Sequence, residues 1–342
     1  MTITKLAWRD LVPDTESYQE LFAQPDLTKE HKFILSETQP RLHYALEQMS
    51  SPWATSPFML LKAPEEAEYL TLLGDAMRQL QPKTNAVFGG QYHIAGRDVT
   101  FEPATQADGL FAAKGEVITA NWVEAEQLFG CLRQFNGDVS LQPGLVHRAN
   151  GGVLLISLRT LLAQPLLWMR LKTVVTQQRF DWVGFDESRP LPVSIPSMPL
   201  SLTVVLTGDR ESLADFQEME PELAEQAVYS EFEDNIQIAD ADDMAQWCQW
   251  VMAVAERFAL PSPAEDAWPG LIREAVRYTG DQETLPLCPL WIGKQLREVG
   301  VISGNGTFNG EQLSQMLAQR EWREGYLADR MQDEILLEQI LV

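Results

Sequence analysis

The residues with the clearest chemical intent lie between 128 and 157. Leu128-Phe129-Gly130 leads into a polar loop, then Pro143-Gly144, His147-Arg148-Ala149-Asn150-Gly151-Gly152 and the aliphatic run Val153-Leu154-Leu155-Ile156-Ser157. Asn-Gly-Gly takes up positive φ at little cost, so the chain can turn sharply there. A short aliphatic run after such a turn suits a strand covered on both faces of a parallel sheet. A loop that delivers such a strand is a common way to build a nucleotide site in an α/β domain.

The spacing of Leu128-Phe129-Gly130, the loop, Gly151-Gly152 and four apolar residues resembles the segment that carries the Walker-B strand in AAA+ ATPases. The longer string from Pro143 to Ile156, followed by Leu161-Leu162, Trp168 and Leu171-Lys172, resembles the ATPase-like region of B-type Lon proteases and their bacterial homologues. That resemblance spans residues 40–342 and is most specific over 120–240. It implies an α/β fold: an AAA+-like parallel sheet flanked by helices, with a small β insertion and a C-terminal helical lid domain. The implied boundaries are a lead-in over 1–50, the core over 51–240 with the insertion at about 85–118, a lid over 241–310, and a helix over 311–342 that leads to a missing peptidase domain.

The phosphate chemistry does not follow the family pattern. A Walker-B strand ends in a carboxylate that holds magnesium, but here the place belongs to Ser157, with Leu158 after it. A nucleotide loop also needs glycines, so that backbone amides face phosphate, and a lysine that reaches its outer oxygens. After the expected first strand, Phe58 to Leu61, the chain reads Lys62-Ala63-Pro64-Glu65-Glu66-Ala67-Glu68. Aligned by Pro64, it lacks every glycine, Glu68 stands in the lysine's place, and carboxylates such as Glu65 would repel a triphosphate. The simpler reading is an acidic helix start, favoured by the helix dipole. Asp209 and Arg210 match the sensor-1 position and Arg277 matches sensor 2. Ion pairs with the chain's own charges are the simpler reading for all three.

Composition narrows the remaining choices. A chain of 342 residues, 45% hydrophobic with ten Trp, reads as folded and built of two or three domains. A net charge of −23 argues against nucleic acid as the main partner. No apolar run reaches the length of a membrane span, and the start lacks the form of a signal peptide. Three dispersed Cys and four scattered His suggest reduced thiols in the cytoplasm and no zinc-type spacing.

Along the chain, helices are expected from 69 to 82, over Trp122 to Phe129 with Thr119 or Asn121 as cap, and over Leu161 to Val175. The alternating stretches around Gly96 read as two strands of the insertion. Phe135, beside Asn136 and Gly137, either packs at the tip of a hairpin, which is the favoured reading, or grips an extended polypeptide from an inserted loop. A hairpin is expected between Arg179 and Pro199, a buried strand from Leu202 to Thr207, and the closing strand from Phe232 to Ile238. From Glu211 to Glu256 there are thirteen acidic residues and no Lys or Arg, which reads as a solvated face. The last helix is expected from Gly310 to about Val342, and its uncapped Ile-Leu-Val end suggests a chain cut before its next domain.

The resemblance therefore implies a degenerate, non-hydrolysing AAA+-like module of a Lon-type ATP-dependent protease homologue. It would assemble as a homo-oligomeric ring, hexameric at full length, and recruit or gate polypeptide substrates in the cytoplasm. No cofactor and no metal are expected, and no catalytic residue; a Ser-Lys peptidase would belong to the parent protein. Two alternatives stay open. One is an atypical ATPase that uses ATP and magnesium through Asp209, Arg210 and Arg277; the other is an adaptor whose acidic face binds a basic protein.

Overall fold

The computed structural model describes residues 35–106, 108–135, 138–184 and 191–336. They fall into two compact units: residues 39–232, and the chain from 233 onward together with the short helix Leu35–Thr38.

The first unit is built on five parallel strands: β1 Phe58–Lys62, β2 Val117–Ala120, β3 Val153–Ser157, β4 Thr203–Gly208 and β5 Val228–Glu231, in the order β5-β1-β4-β3-β2. Every residue of β3 is buried, as a strand covered on both faces requires. Helix Ala67–Leu80 follows β1 and helix Arg210–Met219 follows β4. Trp168 fills the space between helix and sheet, edge-on to Phe58 at 5.9 Å and to Phe216 at 5.0 Å. This is the α/β fold with a parallel sheet that the sequence predicts.

Several expectations about elements are corrected. Val117–Ala120 belongs to the core sheet, paired in parallel with β3, and not to the tail of the insertion. The insertion itself has three antiparallel strands, Phe88–Ala95, Asp98–Pro103 and Phe111–Ala113, with the expected turn at Gly96 (φ +66°). The helix before Gly130 is only Ala125–Phe129. Thr119 lies in a strand, and the Glu124 amide donates to the Gln127 side chain at 3.1 Å at the helix start. The expected helix from 161 to 175 is two, Leu158–Ala163 and Pro165–Gln177, because Gln164 (φ −134°, ψ 74°) leaves helical geometry before a proline. The closing strand is β5, ahead of Phe232. Asn235–Gln237 instead pairs antiparallel with Thr284–Pro286 in the second unit.

The expected hairpins are present. Cys131–Phe135 pairs with Asp138–Gln142, and Arg179–Phe180 with Met198–Pro199.

The second unit is helical: Ala241–Arg257, Trp268–Thr279, Pro289–Ser303, Gly310–Glu324 and Tyr326–Leu336. The indole N–H groups of Trp247 and Trp250 donate to the carbonyls of Pro286 (2.9 Å) and Leu287 (3.0 Å), tying the first of these helices to the Thr284–Pro286 strand and the residue after it. Gly325 breaks the expected single terminal helix in two, and residues 337–342 lie outside the described ones.

His147 pins the insertion to the core. Its Nδ1 accepts from the Gly144 amide at 3.0 Å, so its proton sits on Nε2, among the rings of Phe111 (5.1 Å), Phe180 (4.2 Å) and Trp182 (5.6 Å, stacked). Burial, helped by the Arg170 cation, pushes its pKa down to about 3. The unfolded chain regains an ordinary histidine near pH 6.5, so it takes up a proton that the native state refuses. The stabilisation is complete above that pH and is lost as pH falls towards 3. We expect His147→Gln to shrink the difference in unfolding free energy between pH 7 and pH 5 by about 2 kcal/mol, measured by urea denaturation of both proteins at both values.

Candidate functional site

Register alone gathers one set of polar residues at the carboxyl edge of the sheet. Lys62 is opposite Gly208 on one side and Glu231 on the other, and Ser157 is opposite Thr207. In open α/β sheets this edge is the place for ligands.

The turn after β1 is closed by backbone and carboxylate. The Ala63 amide donates to the Gly208 carbonyl at 3.1 Å. Helix Ala67–Leu80 begins after Glu66, with Glu68 half-buried in its first turn and Pro64 half-buried before it. Glu65 is turned inward and is only 6% exposed. Its Oε1 accepts from the Ser157 hydroxyl at 2.5 Å and from the Arg159 amide at 2.9 Å. Its Oε2 lies 3.1 Å from Arg159 Nη2, and Ser157 is 1% exposed. One carboxylate therefore bridges the turn after β1 to the end of β3.

A second carboxylate does the same across the other side of β1. Lys62 Nζ lies 3.0 Å from Glu231 Oε2, and the Tyr229 hydroxyl donates to Glu231 Oε1 at 2.8 Å. The Lys62 hydrogen bond, then that of Tyr229, holds the Glu231 carboxyl below its usual range, with Arg210 contributing. Burial and the same carboxylate push the Tyr229 hydroxyl up.

Asp209 caps helix Arg210–Met219, accepting from the Ser212 amide at 2.8 Å. That bond is the chief reason its pKa is lowered, and Arg159 adds a smaller attraction. The cations Lys62, Arg159 and Arg210 thus lie among the carboxylates Glu65, Asp209 and Glu231.

The other predicted residues lie elsewhere. Arg277 pairs with Glu274 on its own helix at 2.7 Å, in the helical unit. The Phe135 backbone pairs with Asp138 in the hairpin, while its side chain and Asn136 lie outside the described residues. Acids of the 211–256 run do local work: Asp240 caps helix Ala241–Arg257, and Glu220 accepts from the Trp168 indole at 2.8 Å. Among the described residues no cluster of three or more His, Cys, Asp or Glu could hold a metal ion. Sequence reasoning missed Arg159, Tyr229 and Glu231. Arg159 is two positions beyond the strand end, and Glu231 emerges only once β5 is drawn at Val228–Glu231.

It also missed a groove of about 600 Å³ lined by Phe129, Leu166, Met169, Arg170 and Val183 among others. Leu166 and Met169 are exposed there, and the Arg170 guanidinium lies 4.3 Å over the Phe129 ring.

Removing one partner from a buried carboxylate costs more than the net value of the bond. Ser157→Ala should lower unfolding free energy by about 1–3 kcal/mol. The same substitution in a Glu65→Gln background should cost less, because a neutral amide tolerates the lost donor. Denaturant titration of the four proteins of that cycle checks both.

Residues 114–232 match the model of the LonB-like AAA domain. A Lon protease homolog from Escherichia coli (strain K12) is 66% identical over 342 residues, covering all of this chain and 58% of that protein. A second, from Haemophilus influenzae, is 33% identical over 298 residues, 84% of this chain and 49% of that protein. The chain thus spans about half the length of the curated relatives it matches. A solved structure of NtrX from Brucella abortus superposes with a TM-score of 0.46 at 12% identity, over 84% of this chain and 54% of that one. Among the described residues no helix is long and apolar enough to cross a membrane. The polar edge described above ends the sheet of an ATPase-like module, and the chain belongs to the Lon protease homologues through its LonB-like AAA domain.

Proposed function

We propose that this chain is a non-hydrolysing AAA+-like module that helps to assemble a ring and recruits or gates polypeptide for a longer Lon-type protein in the cytoplasm. Peptide cleavage by a Ser-Lys dyad would lie in a part of that protein outside residues 1–342. The observation that carries the reading is the Glu65 carboxylate bound to the Ser157 hydroxyl and to Arg159 at the carboxyl edge of the sheet. A nucleotide phosphate brought to that edge would meet a buried negative charge already joined to the donors it needs. A magnesium ion would find a serine at the end of β3 where an acid should hold it. ATP and magnesium therefore do not fit the residues present. Lys62, already joined to Glu231, supports the same view.

The polypeptide part of the reading draws on the groove of the same unit, which exposes Leu166 and Met169, apolar surface of the kind that binds unfolded chain.

A ligand that binds only the native state raises its thermal midpoint by mass action. Magnesium-ATP at millimolar concentration should leave the midpoint of the chain unchanged, and phosphate release should stay at the buffer rate. A fluorescent, permanently unfolded polypeptide should bind with an anisotropy change that ATP does not alter. A saturable thermal shift with magnesium-ATP would overturn the non-hydrolysing reading; no polypeptide binding would overturn the recruiting one.

A further inference from the structure

We infer that the Glu65 side chain is an internal counter-ion occupying an oxyanion site of the chain's own making, so that the sheet edge is complete without a ligand. This deepens the reading above and rests on it. The donors converge as they would on a bound oxyanion. The Ser157 hydroxyl and the Arg159 amide donate to one oxygen at 2.5 and 2.9 Å, and the Arg159 guanidinium stands 3.1 Å from the other as an ion pair without a hydrogen bond to it. Such charge-assisted sets suit carboxylate and phosphoryl oxygens alike. The site is also built into the fold. Glu65 is 6% and Ser157 1% exposed, and a carboxylate is held at that depth only where its charge is answered.

The donors and the acceptor come from different parts of the unit. Ser157 ends β3, fixed by its register with Thr207, and the Arg159 amide opens helix Leu158–Ala163. Glu65 comes from the irregular turn between β1 and the next helix, beside Pro64. Truncating Glu65 therefore removes the anion and leaves its donors in place. The Arg159 side chain is 70% exposed, so its guanidinium opens the site towards solvent. A diphosphate would place one phosphoryl group where the Glu65 carboxylate sits and the other against that guanidinium.

The test uses the full chain, sodium pyrophosphate as probe, and sodium chloride of equal ionic strength as reference. The thermal midpoint of the wild type should respond equally to the two salts. Glu65→Ala should melt lower than the wild type and recover by several degrees, saturably, with pyrophosphate alone. The double variant Glu65→Ala, Arg159→Ala should show no such recovery. A folded Glu65→Ala protein that treats the two salts alike overturns the inference, as does a double variant that recovers like the single one. Should Glu65→Ala show no cooperative transition, Glu65→Gln decides. It keeps an acceptor but loses the charge, so it should show a smaller saturable shift, and a response equal to the wild type overturns the inference. A wild type stabilised by magnesium-ATP would remove the proposed function and this inference with it, whereas silent Glu65 variants remove this inference alone.

Discussion

A carboxylate taken out of water needs charge and hydrogen bonds around it. At the carboxyl edge of this sheet that requirement is met by three contacts on Glu65, and it ties three elements together. The turn after β1 supplies the acid, the end of β3 supplies the hydroxyl, and the helix beyond it supplies an amide and a guanidinium. A buried ion pair of this kind adds little net stability over a well-packed apolar replacement, because desolvation offsets the attraction. Its effect is on geometry: the contacts hold the turn after β1 against the end of β3. A glycine-rich loop would leave the same turn free to reshape around an outside anion.

The sheet itself does not need that edge. Parallel strands are held by backbone ladders and by apolar residues on both faces, and β3 is buried throughout. Trp168 and Phe216 close one side around Phe58. The aromatic cluster around His147 fastens the small insertion to the core, with Gly151 (φ +78°) letting the Phe88 ring come within 2.1–2.3 Å of where a Cβ would stand. An architecture this well supported can exchange the residues at its ligand edge at small cost to the core. Fold and phosphate chemistry are separable for that reason, and site residues have to be argued one at a time.

The aliphatic strands were legible in the sequence because a strand covered on both faces is largely apolar: Phe58–Leu61 in β1, Val153–Ile156 in β3 and Val204–Leu206 in β4 are such runs. Val117–Ala120 was harder to see, being four residues with a threonine, directly after the insertion's own strands. Pro165 marks the first helical position of a new helix, a signal present in the sequence but outweighed by the apolar run across it. At the site, Glu65 and Ser157 were visible as departures from a nucleotide loop. Their contact was not, since they lie 92 residues apart and only the strand order brings them together. Glu231 was hidden for a related reason: the resemblance sets the closing strand at Phe232 to Ile238, whereas β5 ends at Glu231, just ahead of it. Periodicity reports which face is buried; partners across a sheet depend on register.

Charge acts here at two ranges. Within hydrogen-bond distance, Lys62 and Arg159 are each joined to a carboxylate, so an approaching anion meets few cations with unspent attraction. Across the surface, a net charge of −23 sets up a field that slows polyanions before any contact forms, an effect that salt screens beyond about 10 Å. The acids are also not idle surface: Asp209 and Asp240 satisfy helix amides, and Glu220 fixes the indole of Trp168. Neutralising such residues to probe a docking role would loosen helix ends at the same time. The two ranges of charge act in the same direction on an approaching polyanion, and neither repels a neutral or basic group.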